Sequence, residues 1–369
     1  MNNSFSIHYR ITKRCNANCD YCSSSGKSNL EPISKEDFRK TIDFLVEKYL
    51  PRFISEDSFI TLNYLGGEVL TLKKEHFLEC VHYARKRFSE NYRYRDGIQT
   101  NLIGSERMIR EYKSVFGKNI GTSIDTYSGK RKIGNSSERY NKLMNQNVIA
   151  VFKEHPPSTF VVDEDSARNL KAEYDRSQKL NYDLVLRPII KCGSNAETGM
   201  DREAETQMVE AFNWWLATGK TRVEPFYSML NKKISTAMGS GLIESNGCHF
   251  QNNCIENNVN IDPDGKIYLC NEMADAGIFQ IGDAIKGVVD EDTIVRLDSR
   301  KTNIDFDCIT CEHFKECKAG CMYTGFEKTG RLSGKDSHCV IWKSIFSKID
   351  TEVINTETLN ERKKWLESL

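Results

Sequence analysis

The chain has 369 residues, more than one hydrophobic core usually organises, so we expect one large domain and a smaller one. Lysine plus arginine equals aspartate plus glutamate, at 52 each, which argues against a nucleic-acid-binding surface and against a polybasic membrane patch. The sequence lacks an apolar run of the roughly 20 residues that span a bilayer, and residues 1–14 lack the apolar core of a signal peptide. We therefore expect a cytoplasmic protein, in which 13 cysteines favour metal ligands over disulfides.

Apolar periodicity alternates between strand and helix over the first 190 residues. Phe5, Ile7, Tyr9 and Ile11 alternate with polar neighbours, which predicts a first strand. Ser34 resembles a capping residue that opens the first helix. Further strands are predicted at 59–65, up to 101, and at 120–124, 159–162 and 184–188, with helices at 77–88, from 105, at 137–151 and at 167–180. Six such units predict right-handed parallel β/α connections, and hence a barrel or an open doubly wound sheet.

Three cysteines follow the first strand at the spacing C-x3-C-x2-C: Cys15, Cys19 and Cys22. A cubane iron-sulfur cluster normally takes four thiolates, so three cysteines indicate a [4Fe-4S] cluster with one open iron. The same spacing also suits a zinc loop, or arises by chance.

This motif, with Tyr21 before its last cysteine, resembles the signature of the radical SAM superfamily. The resemblance implies an α/β fold, the partial (β/α)6 TIM-type barrel of that superfamily, over about residues 5–190. It further implies that the open iron chelates the amino and carboxylate groups of S-adenosyl-L-methionine (AdoMet). An electron from the cluster then cleaves the sulfonium to a 5′-deoxyadenosyl radical.

The second strand leads directly into Gly66, Gly67 and Glu68. Glycines let a backbone approach a ligand closely, and a neighbouring carboxylate suits an ammonium group, although the tripeptide alone is a common turn. It resembles the radical SAM GGE motif, which binds the methionine amino group, but Val69 stands where many relatives have proline.

Two further strand ends resemble those of the family. Thr100–Asn101 looks like its TN(G) strand end, with Leu102 in place of glycine, and residues 123–125 look like its S-x-D strand end. By the same resemblance, Ser123 is a candidate to contact a ribose hydroxyl and Arg139 to contact the AdoMet carboxylate. The alternatives are a helix cap and a solvated arginine.

The C-terminal third holds eight further cysteines, with the spacings Cys248-x5-Cys254-x10-Gly265-x4-Cys270 and Cys308-x2-Cys311-x5-Cys317-x3-Cys321-x17-Cys339. This pattern resembles a SPASM domain, the auxiliary-cluster module of many radical SAM enzymes that modify peptides and proteins. The resemblance implies two auxiliary [4Fe-4S] clusters, three clusters in all. The first would be held by Cys248, Cys254, Cys270 and Cys321, and the second by Cys308, Cys311, Cys317 and Cys339. Spacing alone more naturally groups the four consecutive cysteines, and a pair of zinc sites is the alternative. Cys80 and Cys192 remain, and we interpret both as structural thiols.

The expected units are therefore a barrel over 1–190, a helical bridge over 191–247, a SPASM domain over 248–345 and a C-terminal helix over 346–369. The resemblance implies a radical SAM oxidoreductase, and two enzyme interpretations of it compete. One is a maturase that crosslinks a ribosomally synthesised precursor peptide (RiPP), and the other is an anaerobic sulfatase maturase that forms formylglycine. The sulfatase maturases place an aspartate, proposed as general base, after the cysteine that corresponds to Cys270, whereas this chain has Asn271. Glu272 and Asp275 are weak substitutes.

We favour the peptide maturase. A SPASM enzyme acting on a small molecule and a non-catalytic metal-binding module are the further alternatives. The expected partners are a peptide or protein substrate and an electron donor such as flavodoxin or ferredoxin. Because only 14 residues precede Cys15, leader recognition would need either a separate leader-binding protein or the SPASM surface itself. Nucleic acid and membrane are not expected partners.

Overall fold

The computed structural model describes residues 2–24, 31–195, 197, 199–239, 248–355 and 357–369. Within this part of the chain, eleven strands form one sheet. The strands are β1 Asn2–Thr12, β2 Ile54–Gly66, β3 Arg93–Gln99, β4 Ile120–Ser123, β5 Ser158–Val162, β6 Leu184–Pro188, β7 Val223–Glu224, β8 Asn258–Ile261, β9 Lys266–Tyr268, β10 Gly282–Asp283 and β11 Val288–Val289.

Helices connect the parallel strands and continue through the C-terminal third. They are α1 Lys35–Phe44, α2 Lys74–Ser89, α3 Glu106–Phe116, α4 Ser137–Val151, α5 Leu170–Leu180, α6 Arg202–Thr218, α7 Phe226–Ala237, α8 Cys254–Asn257, α9 Asn271–Ala276, α10 Glu291–Asp298, α11 Phe306–Ile309, α12 Phe314–Cys317, α13 Met322–Thr329, α14 Cys339–Ile349 and α15 Leu359–Ser368. The predicted bounds of α4 and β6 are confirmed, as are the helix caps at Ser34 and Ser105.

Strand β1 lies in the middle of the sheet and shows why this sequence folds as it does. Its alternate residues Phe5, Ile7, Tyr9 and Ile11 are at most 1% exposed and pack against the helical layer, where Tyr9 stacks on Phe38 at 5.1 Å between ring centroids. The intervening residues face the inside of the curved sheet, so the period-2 pattern separates a packed face from a polar one.

The sheet joins the N-terminal and C-terminal halves. Its order is β11-β10-β9-β8-β1-β2-β3-β4-β5-β6-β7, in which β8 through β7 run parallel and β9 to β11 are added antiparallel. Parallel pairing of β8 with β1, with Val259 beside Ile7, makes the C-terminal strands a direct continuation of the N-terminal parallel sheet. The α/β fold class is confirmed, and the structure favours the barrel-like sheet over the doubly wound alternative.

Two predictions need correction. The bridge also contains strand β7, which pairs with β6, and its residues 240–247 lie outside the described part of the chain. The segment 346–369, predicted as one helix, contains the end of α14 and the separate helix α15. Helix α14 already begins at Cys339, where its apolar stripe starts, and it ends in a π-helical turn at Asp350–Ile354.

Candidate functional site

A cavity of about 720 Å³ lies inside the curved sheet. Its wall includes all three cysteines of the first motif, the Gly66–Glu68 turn, residues 99–101 and Ser123. Asn271, Glu272 and Asp275 line it from the C-terminal half. Because parallel strands place their carboxyl ends at one edge, segments far apart in sequence meet there.

The cysteine loop is fixed to the loop that follows β4. The backbone N–H groups of Asn18 and Asp20 donate to the carbonyls of Lys132 and Lys130, at 2.8 and 2.9 Å. Between these bonds, Arg131 is 9% exposed and donates from Nη1 to the Tyr21 hydroxyl at 3.1 Å. Tyr21 therefore lines the cavity and also anchors the loop that carries the cysteines.

The thiols of this loop are suited to a cationic metal centre. All 13 cysteines are free, and Cys15, Cys19 and Cys22 are half-buried. Burial raises the pKa of the Cys15 thiol to about 12, so an uncompensated thiolate is disfavoured at this position. Bound iron would supply the positive charge that stabilises the thiolate form. The donor set and its surroundings thus fit an iron-sulfur cluster.

The two glycines allow the turn after β2 to pack directly on the chain that leads into Cys15. A Cβ on Gly66 would lie 2.3 Å from the Thr12 carbonyl oxygen, and one on Gly67 would lie 2.2 Å from that of Arg14. The Gly67 N–H donates to the Thr12 carbonyl at 2.8 Å. The close approach that requires glycine is therefore to this protein's own backbone, which differs from the ligand approach that the sequence suggested.

The Glu68 carboxylate is engaged inside the protein. It is 2% exposed and accepts hydrogen bonds from the Leu70 N–H at 3.0 Å, the Thr100 hydroxyl at 2.6 Å and the Asn101 N–H at 2.6 Å. Burial raises the pKa of Glu68, and these donors oppose the shift. Its side chain thus ties β2 to the end of β3 and also lines the cavity, and its predicted contact with an ammonium group stays a prediction.

The structure brings Ser123 to the cavity but not Arg139. The Ser123 hydroxyl accepts from Gln99 Nε2 at 3.1 Å on the cavity wall. Arg139 lies near the start of α4 with an exposed side chain, away from the cavity lining, so its predicted AdoMet contact has no support in the geometry. The arginines that line the cavity are Arg10, Arg95, Arg131 and Arg187, and sequence reasoning singled out none of them. For Arg131, the basic triplet 130–132 shortly after the S-x-D strand end was the one available signal.

Asp275 belongs to a buried ion network that connects β1, the cysteine loop and α9. Arg10 forms ion pairs with Asp275 and with Asp262, the latter at 2.6 Å. The Ser23 hydroxyl donates to Asp275 at 2.7 Å, and Ser24 donates to the same carboxylate. A carboxylate held by this many donors is suited to structural anchoring, so the geometry does not favour it as a general base.

Glu272 and Asn271 are similarly limited as proton acceptors. Glu272 forms an ion pair with Arg187 at the end of β6. Asn271 presents a buried side-chain oxygen for which no partner is found in the described residues. An amide oxygen accepts hydrogen bonds but not protons near neutral pH. Glu272 and Asp275, the two weak candidates for the base, are therefore both engaged, and the Asn271 amide offers a hydrogen-bond acceptor to the cavity.

The two unassigned cysteines lie in different surroundings. Cys192 is 5% exposed and lines the cavity, where its thiol donates to the Ile190 carbonyl at 3.5 Å. Cys80 is 2% exposed and packs in the core from α2.

Four C-terminal cysteines influence one another electrostatically as one group. Burial, followed by the nearby Cys248 and Cys270 sulfurs, raises the pKa of Cys254. Burial and then Cys248, Asp336 and Cys270 raise that of Cys321. Cys321 is thus a neighbour of cysteines some 50 to 70 positions earlier in the chain.

The other four form a second group. Burial and then Cys339 raise the pKa of Cys308. For Cys317, the raising groups after burial and Asp336 are Cys339, Cys308 and Cys311. These neighbours match the two interleaved sets that the SPASM resemblance implies, and the clusters themselves remain a proposal. Within the described ranges, no three or more His, Cys, Asp or Glu side chains are arranged to hold a single metal ion.

Asp336 fixes the point where the chain passes between the two sets. It accepts from the Cys321 N–H at 2.7 Å, from the His338 N–H at 2.8 Å and from the Thr324 hydroxyl at 2.9 Å. A Cβ on Gly320 would lie 2.3 Å from this carboxylate. Burial alone would raise the pKa of Asp336. The hydrogen bond and charge of His338, together with the hydrogen bond from the Cys321 N–H, outweigh this effect and lower the pKa to about 2.

None of the helices in the described segments is both long and apolar enough to cross a membrane. No protein-family model and no curated protein matches the chain.

Solved structures do match. The fold is similar to anSMEcpe, an anaerobic sulfatase maturase, with bound AdoMet: the TM-score is 0.71 at 16% identity over 99% of this chain and 98% of that chain. The same protein with AdoMet and the Cp18Cys peptide gives a TM-score of 0.72 at 16% identity over 97% and 99%. Streptococcus suis SuiB bound to precursor peptide SuiA gives 0.58 at 14% identity over 91% and 76%. The chain therefore has the fold of radical SAM enzymes that carry a C-terminal SPASM domain.

Proposed function

We propose that this protein is a radical SAM enzyme that oxidatively modifies a peptide, most specifically a ribosomally synthesised precursor in which it forms a crosslink. One observation carries the proposal: Cys15, Cys19 and Cys22 share a single cavity with the Gly66–Gly67 turn and the strand ends. The similar folds of anSMEcpe and SuiB, solved with AdoMet and with peptides, add support.

In this proposal Cys15, Cys19 and Cys22 hold a [4Fe-4S] cluster, and the eight C-terminal cysteines hold two more. With AdoMet bound and one electron from the electron donor, the first cluster would supply a 5′-deoxyadenosyl radical and methionine, and the radical would remove a hydrogen atom from an unactivated carbon. The protein's own residues position this chemistry. Arg131 and Tyr21 fix the cysteine loop, and the Gly66–Gly67 turn holds the segment that leads into Cys15. Ser123 offers a hydroxyl to the nucleoside from the cavity wall.

The substrate would reach the cavity beside the C-terminal half. Asn271 lines the wall directly after Cys270, a ligand of the proposed first auxiliary cluster. An unpartnered amide oxygen there suits a peptide N–H, because a buried acceptor left without a donor is costly. In this proposal the peptide would lie between the radical source and a nearby electron acceptor.

Formylglycine formation is the second candidate, supported by the similarity to anSMEcpe. The ion pairs of Glu272 and Asp275 count against it, since the chemistry requires an available base where Asn271 stands. A small-molecule oxidase and a non-catalytic metal-binding module follow as weaker alternatives.

Metal analysis tests the cofactor content. Protein reconstituted anaerobically should hold about 12 irons per chain, four for each of three cubanes. The triple variant Cys15→Ala/Cys19→Ala/Cys22→Ala should hold about four fewer, whereas Cys80→Ala, which changes a thiol outside the cavity, should hold the full number. Purified protein that holds only zinc would exclude the enzyme class.

The reaction product tests the substrate. A short open reading frame beside the gene would supply the candidate peptide, and a neighbouring sulfatase would favour formylglycine. We expect a product lighter by two hydrogens that retains its sulfur. Conversion of a cysteine to formylglycine would overturn the crosslinking proposal.

A further inference from the structure

Arg300 is a fully buried cation in the midst of the C-terminal cysteines. It lies on the short 3-10 turn Ser299–Lys301 after α10, and only 1% of its surface is exposed. Burying a guanidinium away from water is costly unless hydrogen bonds and opposite charge compensate. Its surroundings should therefore show what stabilises it.

The hydrogen bonds of Arg300 go to backbone carbonyls. Nη1 donates to Leu332 at 2.8 Å and to Gly334 at 2.9 Å, and Nη2 donates to Ala319 at 3.1 Å. All three acceptors are neutral, so these bonds occupy three of the five guanidinium N–H groups without contributing an opposite charge.

These acceptors lie on the segments that carry the cysteines. Ala319 stands between Cys317 and Cys321, where the chain passes from the second set of cysteines to the first. The connecting residues 318–320 have three successive positive φ angles, of 54°, 68° and 68°. Within the 308–321 segment, Cys317 and Cys321 are the only successive cysteines that belong to different sets. Arg300 thus holds the backbone that connects these two cysteines.

The Nε–H of Arg300 is buried and has no acceptor among the described residues. The sulfurs of Cys308, Cys254 and Cys321, followed by the Asp336 carboxylate, act electrostatically on the guanidinium and oppose the lowering of its pKa by burial. The three sulfurs come from both sets, so the buried cation lies between them.

We propose that Arg300 tunes both auxiliary clusters: its Nε–H donates to a cluster sulfur, and its buried charge raises the two reduction potentials. This inference rests on the proposed presence of clusters at the eight C-terminal cysteines. A cluster becomes more negative on reduction, so a nearby cation in a medium of low dielectric constant stabilises the reduced state more than the oxidised one. Arg300 is therefore a positioning residue that acts through the clusters.

Redox titration of the auxiliary clusters tests the proposal. The experiment uses the full chain with Cys15, Cys19 and Cys22 replaced by alanine, so that only the auxiliary clusters contribute to the electron paramagnetic resonance signal. In this background Arg300→Gln is compared with Arg296→Gln, which removes the same charge from an exposed position on α10. We expect both midpoint potentials to fall in Arg300→Gln and to stay unchanged in Arg296→Gln. Iron-loaded Arg300→Gln protein with both potentials unchanged would overturn the proposal.

A second measurement needs no charge-removing variant, in case Arg300→Gln loses its iron. The same background protein is labelled with ¹⁵N-arginine and reduced, and nitrogen hyperfine coupling to the clusters is recorded. We expect a ¹⁵N coupling that disappears in Arg300→Lys. Absence of the coupling, or its persistence in Arg300→Lys, would overturn the donor role.

The two failures are distinguishable. Unshifted potentials in iron-loaded protein refute the role of Arg300 and leave the radical chemistry untouched. If wild-type protein does not cleave AdoMet although its auxiliary clusters have normal potentials, the proposed function is refuted and the role of Arg300 is not.

Discussion

The turn after β2 offers a sharp test of how the cysteine loop is held. Replacing Gly67 by alanine places a Cβ 2.2 Å from the Arg14 carbonyl oxygen and 2.6 Å from that of Lys13. Both atoms are backbone, so no side-chain rotation relieves the contact. The segment that leads into Cys15 must move away from the turn.

The structure sets the size of the effect. Overpacking of this kind costs about 1–3 kcal/mol. The displacement also weakens two backbone hydrogen bonds, from Gly67 to Thr12 and from Glu68 to Arg14, both at 2.8 Å. At about 1 kcal/mol for each bond, we expect a total loss of about 3–5 kcal/mol in the free energy of unfolding. Because misplacing a catalytic group by about 1 Å can cost about 100-fold in rate, AdoMet cleavage should fall by a similar factor.

Gly199→Ala is the matched control, since among the described residues its added Cβ meets only the flexible Lys191 side chain, with Cε at 3.0 Å and Nζ at 3.7 Å. Denaturant unfolding and the rate of 5′-deoxyadenosine formation are measured for both variants and the wild type. A Gly67→Ala protein with wild-type stability and wild-type cleavage would refute the proposed packing of the turn on the cysteine loop.

Three further predictions concern the C-terminal cysteines, the ion network and the cavity. The double variant Cys254→Ala/Cys321→Ala should lose about four irons and Cys317→Ala/Cys321→Ala about eight, because only the second pair disrupts both sets; equal losses would contradict the interleaving. Asp275→Asn should lower the free energy of unfolding by about 3 kcal/mol, the low end for breaking a buried ion pair, and a loss under about 1 kcal/mol in denaturant unfolding would contradict its anchoring role. Burial and then the charge of a nearby arginine lower the pKa of His8 to about 4, below its unfolded value, so His8 stays neutral above pH 5. His8→Asn should therefore leave the pH dependence of AdoMet cleavage between pH 5 and 8 unchanged, and removal of an inflection near pH 6.5 would show that His8 titrates there.

Much of the fold could be predicted from local sequence patterns. The alternation from Phe5 to Ile11 marked β1, and serine caps marked the starts of α1 and α3. These signals depend on neighbouring residues and therefore survive in a single sequence. Strand β7, with two residues, is too short to show any period.

Long-range contacts were harder to predict. The pairing of β8 with β1 joins residues some 250 positions apart, and no periodicity encodes it. The side chains that engage Glu272 and Asp275 come from Arg187 and Arg10, so the loss of both as bases is visible only in the structure. Arg131 was missed for a similar reason, because a loop residue has no helical or strand pattern to mark it as buried.

The central claim is that Cys15, Cys19 and Cys22 provide one site for AdoMet cleavage. Anaerobically reconstituted, reduced protein is incubated with AdoMet, and 5′-deoxyadenosine is quantified by mass spectrometry. We predict its formation by the wild type and its loss in Cys19→Ala. Intact AdoMet after incubation with fully iron-loaded wild-type protein would contradict the claim.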